Sequence, residues 1–217
     1  MSGRGRPRSF DRAAALRRAM DVFWAKGFDG ASISDLTTAM GINSPSLYAA
    51  FGSKEALFRE AVDLYGATEG TEIWRALSAA PTAREAIRRF LEATAVAYTT
   101  PGRPQGCLIV LGALHANDGS LNVCRDLKEQ RLGNLEALRE RLERGVAEGD
   151  LPEGTDCRAM ATFYATLQHG MSIQAHDGAT RDTLLSIARC AMAAWDSLVP
   201  PKCSDEMDGS SPLRHLT

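Results

Sequence analysis

Three glycines, Gly27, Gly41 and Gly52, cut residues 11–54 into helical pieces too short to stand alone. Each break is followed within a few residues by a side chain suited to start a helix: Ser32, then Asn43 or Ser44, then Ser53. The first piece runs from Asp11, a plausible N-cap, to Lys26. Leu16, Ala19, Met20 and Phe23 fall there at i, i+3, i+4 and i+7, one helix face. The second starts at Ser32, carries Asp35 at its third position and buries Ile33, Leu36 and Met40. Residues 41–44 (GINS) form a tight turn. Pro45 stands in the first turn of a third piece, 44–51, where a missing N–H does no harm. So short a helix is marginal in water and must be braced by its neighbours, through Leu47 and Phe51. Its other face is small and polar (Ser44, Ser46, Tyr48, Ala49), which a core helix would not carry. Helix, glycine turn and helix at nearly minimal length make a helix-turn-helix, whose second helix can enter a DNA major groove.

The rest keeps a helical period. Ser53 opens a long fourth helix to about Leu77, and Thr82-Ala-Arg-Glu85 reads as a capping box opening a helix to about Tyr98. After a loop at 99–106, helices are expected over 107–117, 120–148, 155–176 and 180–198, with breaks at Asn117–Gly119, Gly149–Pro152 and Asp177-Gly178. No segment alternates like a strand. The expected class is all-α: an N-terminal three-helix helix-turn-helix domain followed by a larger C-terminal helical domain. The domain reading is a flexible basic arm (1–10), the DNA-binding head (11–54), the C-terminal helical domain (55–198) and a disordered tail (199–217).

Charge divides along the same line. Residues 1–54 hold eight basic and four acidic side chains, while the remainder holds seventeen and twenty-three. A basic head on an acidic body directs a polyanion to the head alone, and disfavours a structural protein that wraps DNA around itself. Apolar residues make up 44% of the 217, enough for a real core. The first residues are Arg- and Gly-rich, unlike a secretory leader, and no apolar run reaches membrane-spanning length. Five widely spaced cysteines without a CxxC pair argue against a disulfide framework or a zinc site, so no metal or cofactor is expected and a reducing cytoplasm fits. GxGxxG, P-loop, HExxH and GxSxG patterns are all missing, which disfavours an enzyme.

Residues 32–58, SISDLTTAMGINSPSLYAAFGSKEALF, closely resemble the helix-turn-helix signature of the TetR family of repressors. The marks are Met40-Gly41 at the turn, Leu47-Tyr48, Phe51, and Ser53-Lys54-Glu55 followed by Leu57. FWAKGFDGAS (23–32) fits the same pattern. The resemblance is specific over about residues 10–60. It implies groove-facing positions for Ser44, Pro45, Ser46 and Ala49, a phosphate contact from the Tyr48 hydroxyl, and another from Lys54 at a helix N-terminus, with Ser32 acting likewise. Arg4, Arg6 and Arg8 would reach along the backbone or into the minor groove. One departure is clear. Positions 44, 49 and 50, which often carry long side chains in the family, are Ser44, Ala49 and Ala50 here, so bidentate base contacts are lacking. Thymine-methyl contacts, DNA shape and the arm must then carry more of the readout.

The same resemblance implies a double-stranded DNA operator, a small-molecule effector bound among the middle helices, and a homodimer, which makes residues 55–198 a ligand-binding (effector-binding) and dimerisation domain. Effector candidates are Trp74, Tyr98, Cys107, Leu111, His115, Leu127, Gln130, Phe163 and His169. The last two helices carry more apolar surface than one helical pair hides. Met160, Tyr164, Leu167, Met171, Leu184, Ile187, Ala188, Ala191, Met192 and Trp195 are therefore expected in a four-helix dimer interface. RPQGCLIV (103–110) resembles a branch of the family in which some members sense electrophiles or oxidants by a cysteine. A thiol at a helix N-terminus near Arg103 would favour its thiolate. Three readings stand at this point: an effector-released repressor, a thiol-sensing repressor using Cys107, and a helical ligand-binding protein with weak DNA binding.

Overall fold

The computed structural model describes residues 10–113 and 120–201. Arg4, Arg6, Arg8, His115, Cys203 and nearly all of the expected tail lie outside them. Among the described residues every element is helical: α1 (Arg12–Gly30), α2 (Ile33–Met40), α3 (Ser44–Phe51), α4 (Lys54–Thr68), α5 (Thr71–Ser78), α6 (Ala83–Tyr98), α7 (Leu108–Leu111), α8 (Leu121–Ala147), α9 (Cys157–His176), α10 (Arg181–Ala193) and α11 (Trp195–Leu198).

The head starts where its caps dictate. Asp11 accepts from the Ala14 N–H, Ser32 and Asp35 form a reciprocal capping box, Asn43 accepts from the Ser46 N–H, and Ser53 accepts from the Ala56 N–H. Gly27 adopts φ 69° and kinks α1, leaving one further turn that carries Phe28. Phe23 and Phe28 meet Phe58 of α4 edge-on, at centroid separations of 4.9 and 5.3 Å. Leu36, Met40, Leu47 and Phe51 close the other side, each at most 5% exposed. The short α3 is thereby held by side chains from three helices rather than by its own propensity.

Two expected boundaries move. The fourth helix stops at Thr68 instead of near Leu77. The N–H groups of Glu69 and Gly70 both return to the Tyr65 carbonyl, and the Thr68 and Thr71 hydroxyls bond back to Leu64 and Ala67. The chain changes direction at Gly70, which keeps right-handed helical dihedrals, and α5 departs from there. Of the helix expected over 107–117, the described part forms α7, which ends at Leu111 with Gly112 as its C-cap, and residues 114–117 lie outside the described residues. At the start of α6 the Thr82 hydroxyl accepts from the Glu85 N–H, but the Glu85 carboxylate turns to Arg88 and Arg89, so only half of the expected capping box forms.

In the C-terminal domain α6 is the central helix, with Phe90, Leu91 and Tyr98 inside the core. It packs on α5 through Trp74 and Phe90 (centroids 5.5 Å apart), and on α9 and α10. α8 lies across α9 and α5. α4 contributes Phe58 and Tyr65 to one hydrophobic core that runs on from the head into the C-terminal helices.

Candidate nucleic-acid interface and regulatory core

α3 presents two unlike faces. Leu47 is fully buried and Phe51 nearly so, whereas Pro45, Tyr48 and Ala49 are exposed and Ser44 and Ser46 are half-buried. Tyr48 is the largest outward side chain of the helix, at 46% exposure. Arg12 braces α3 from behind: its guanidinium lies 4.3 Å over the Phe51 ring, donates to the Ala50 carbonyl and pairs with Glu60 at 2.7 Å. The sequence reading missed this residue, because its partners are thirty-eight and forty-eight positions away.

Lys54, at the first turn of α4, places its ammonium 4.4 Å over the Phe28 ring. Burial lowers its pKa, against the raising influence of Asp29 and Glu55. Ser32 is exposed at the start of α2, its hydroxyl accepting from the Asp35 N–H at 3.0 Å and donating to the Asp35 carboxylate at 2.8 Å. Lys26 pairs with the same carboxylate at 2.7 Å. Any phosphate reaching Ser32 therefore meets a hydroxyl already engaged in its cap.

Among the described residues, four of the expected effector residues border three separate clefts. Trp74 lines a cleft of about 760 Å³ between α5 and α8. Leu127 and Gln130 line another, of about 270 Å³, between α4 and α8, while His169 borders one of about 200 Å³ between α8 and α9. Phe163 points outward at 37% exposure, and Leu111 is half-buried against the core. Apolar stripes identify these helices as core-forming, but only the packing decides which inner residues border open space.

Tyr98 and Cys107 are buried together with Tyr65, an unforeseen member of the group. Burial first, and the adjoining Cys107 thiol next, raise both phenols above their ordinary range. The Cys107 N–H donates to the Ser172 hydroxyl at 2.9 Å. Arg103, the expected cationic neighbour, turns instead to Glu69 at 3.2 Å and Asp21 at 3.6 Å. One step from the thiol, the Gly106 carbonyl accepts from the Trp24 indole N–H of α1 at 3.2 Å, and Trp24 stacks edge-on against Tyr65 with centroids 4.9 Å apart. The cysteine thus sits where α4, α6, α9 and the head meet.

The expected dimer surface is corrected. Met160, Tyr164, Met171, Leu184, Ala188, Ala191 and Trp195 are each at most 5% exposed within one protomer, so they cannot be buried further by a second. They hold α9, α10 and α11 to one another and to α6. Leu167, Ile187 and Met192 are half-buried. The outward face of α9 carries Phe163, Thr166, Gly170 and Ile173, with Phe163 and Ile173 at 37% and 45% exposure. A helix with apolar residues on more than one side does not announce which stripe its own chain will cover.

Comparison with known proteins agrees over both halves. Residues 15–61 match the family model for bacterial regulatory proteins of the tetR family. Residues 83–191 match the model for a tetracyclin repressor-like C-terminal domain. The HTH-type transcriptional repressor ComR of Escherichia coli (strain K12) is 32% identical over 200 residues, covering 90% of this chain and 94% of its own. BdcR, another HTH-type transcriptional repressor of that strain, is 32% identical over 195 residues with the same coverage. Among solved structures, the TetR family regulator CifR, as a cysteine-substituted mutant complexed with 26-bp double-strand operator DNA, is 48% identical. It superposes with a TM-score of 0.85, over 88% of this chain and all of that one. With an outward-facing α3 on a three-helix head and these relatives along nearly its whole length, the chain belongs to the TetR family of DNA-binding transcriptional regulators, and is not an enzyme.

Proposed function

We propose that this regulator is a homodimeric repressor that seats the two copies of α3 in successive major grooves of a near-palindromic operator and is released by a small molecule bound in the C-terminal domain. The observation that carries the reading is the polarity of α3, with Leu47 and Phe51 locked inward and Pro45, Tyr48 and Ala49 left outside. Pro45 and Ala49, with Ser44 and Ser46, face the base edges, where only small apolar and hydroxyl contacts are on offer. Tyr48 and Lys54 take phosphates, the latter helped by the N-terminal dipole of α4, and Ser32 lies at the corresponding end of α2. Arg4, Arg6 and Arg8 supply the arm. The operator-bound state of CifR and the repressor names of ComR and BdcR support the assignment. The second copy docks on the Phe163–Ile173 face of α9 and the adjoining part of α10. The chain acts in the cytoplasm, alongside the DNA; none of its described helices is long and apolar enough to cross a membrane.

The route from effector to head runs through two joints. α4 is continuous from the head to Thr68, and the 106–112 segment bonds to α1 at Trp24 and Phe28. Coupling of about 1–3 kcal/mol through them changes operator affinity roughly 5–150-fold. Titration of labelled DNA from upstream of the gene, with unlabelled competitor, tests the reading. Salt-sensitive, competitor-resistant binding supports it, and equal affinity for unrelated DNA overturns it.

A second reading rests on Cys107. Its thiol lies beside Tyr65 and Tyr98, its backbone N–H is bonded to the Ser172 hydroxyl, and the Trp24 contact is one residue away, so a group added to its sulfur would push on α4 and α6 next to the joint with α1. Release of operator by an electrophile from the native protein, and not from Cys107→Ser, supports a thiol switch. Unchanged release from Cys107→Ser removes it.

A further inference from the structure

The segment that follows α6 lies along one face of α1 and touches it three times. Arg103 pairs with Asp21, the Gly106 carbonyl accepts from the Trp24 indole, and the Gly112 carbonyl accepts from the Phe28 N–H. Asp21, Trp24 and Phe28 stand at i, i+3 and i+7, a single helix face. Of the three, Arg103 reaches further than α1. Its Nη1 lies 3.6 Å from the Asp21 carboxylate, and its Nη2 lies 3.2 Å from the carboxylate of Glu69, the C-cap of α4. One guanidinium thus holds both the helix that lies wholly in the head and the helix that leaves it, and its rigid planar fork fixes their separation. Arg17 of α1 adds a looser pair to the same Glu69 oxygen, at 3.8 Å.

The base that carries Arg103 is itself stiff. The Arg103 N–H donates to the Thr100 carbonyl, and the Gln105 side-chain amide donates to the carbonyls of Thr100 and Arg103. The Gly106 N–H returns to the carbonyl of Tyr98, the last residue of α6. On the other side, Asp21 Oδ1 is closed off from solvent and has no hydrogen bond among the described residues, so the Arg103 charge is what compensates it. Half-exposed ion pairs contribute little to stability. What the fork supplies here is position.

We propose that Arg103 is a positioning residue: it fixes the angle of the reading head on the C-terminal domain and so sets the half-site spacing that the dimer accepts. The proposal rests on the paired-head reading and names the residue behind its spacing. An inserted base pair moves one half-site by about 3.4 Å and turns it by about 34°. A head gripped through α1 and α4 together does not follow that change. One that has lost the α4 arm and the first of the three α1 contacts follows it more freely.

The experiment uses the full chain and duplexes carrying the inverted repeat upstream of the gene, at its own spacing and with one base pair added or removed at the centre. Anisotropy titration gives each affinity, while circular dichroism and thermal melting report on the fold. The native protein loses about tenfold or more in affinity on either change of spacing. Arg103→Met, which keeps an unbranched chain and removes the fork, loses about threefold at most and keeps its helical spectrum. If Arg103→Met does not fold, Glu69→Gln, which cuts the α4 arm and leaves the Asp21 one, takes its place and loses about fivefold at most. A folded variant that keeps the native preference for spacing overturns the proposal, whatever its melting point, and leaves Arg103 a merely structural role. A native protein indifferent to spacing removes the paired-head reading, and this proposal with it.

Discussion

The backbone N–H of Phe28, on the last turn of α1, donates to the Gly112 carbonyl across 2.7 Å. This bond fastens the head to the segment that follows Cys107, and Gly27 makes it possible. At φ 69° Gly27 turns the chain toward Gly112, and a Cβ there would stand 3.1 Å from the Gly112 oxygen. Gly27→Ala is expected to destabilise the protein by about 1–3 kcal/mol, because φ 69° with ψ 174° lies in a region that is essentially confined to glycine, with further crowding at Gly112. A lower thermal midpoint, with weakened effector release in the surviving protein, is the checkable outcome.

Contacts to DNA separate from contacts that build the head. Tyr48→Phe removes one exposed hydroxyl, so stability is expected to hold while operator affinity falls by about 0.5–1.5 kcal/mol. Lys54→Gln is expected to weaken binding on any sequence and to lower the dependence of log K on log salt by about 1. Both are read from anisotropy titrations over a salt series, beside thermal melts.

The start of α2 carries a pH dependence. Hydrogen bonds from Lys26, then from the Ser32 backbone and hydroxyl, hold the Asp35 carboxyl well below the usual carboxylate range. A carboxyl with a depressed folded-state pKa contributes stability that is whole above its unfolded value, about 4, and fades as pH falls toward the folded value. Stability of the native protein should therefore drop below about pH 4, and Asp35→Asn should flatten that part of the drop. Ser32→Ala, which removes the cap, should lower stability at neutral pH by about 1 kcal/mol. Melting curves from pH 2 to 7 check both.

Local chemistry was readable from the chain and long-range packing was not. Asp11, Ser32, Ser53 and Thr82 cap helices where their side chains and the following residues say they should. Gly27, Gly41 and Gly52 break them for the same local reason. The turn at Gly70 escaped because the apolar period continues through Ile73 and Leu77, masking a change of direction that the Thr68 and Thr71 hydroxyls secure. Tyr65 joins Cys107 from forty-two positions away, and Arg141 reaches the Ala80 carbonyl from sixty-one, pairings that a sequence does not display. Met160, Tyr164 and Met171, expected at a dimer, are already buried within one protomer, which the apolar repeat of α9 alone does not reveal.

That correction is itself testable. Ile173→Asp with Phe163→Asp changes two exposed residues, so the helical spectrum and monomer fold should persist while the dimer dissociates. Operator affinity should then fall by at least tenfold. The substitution pair Leu167→Asp with Ile187→Asp lies partly inside the protomer and should lower stability as well. Light scattering, circular dichroism and DNA titration distinguish the two cases.

The central claim is that paired copies of α3 read the DNA together, and the stoichiometry of saturated binding to an inverted repeat upstream of the gene tests it most directly. The account requires two chains per repeat, or a whole multiple of two, with affinity collapsing on an isolated half-site and falling with Tyr48→Phe. One chain per duplex, with half-site and full site bound alike and Tyr48→Phe without effect, would contradict it.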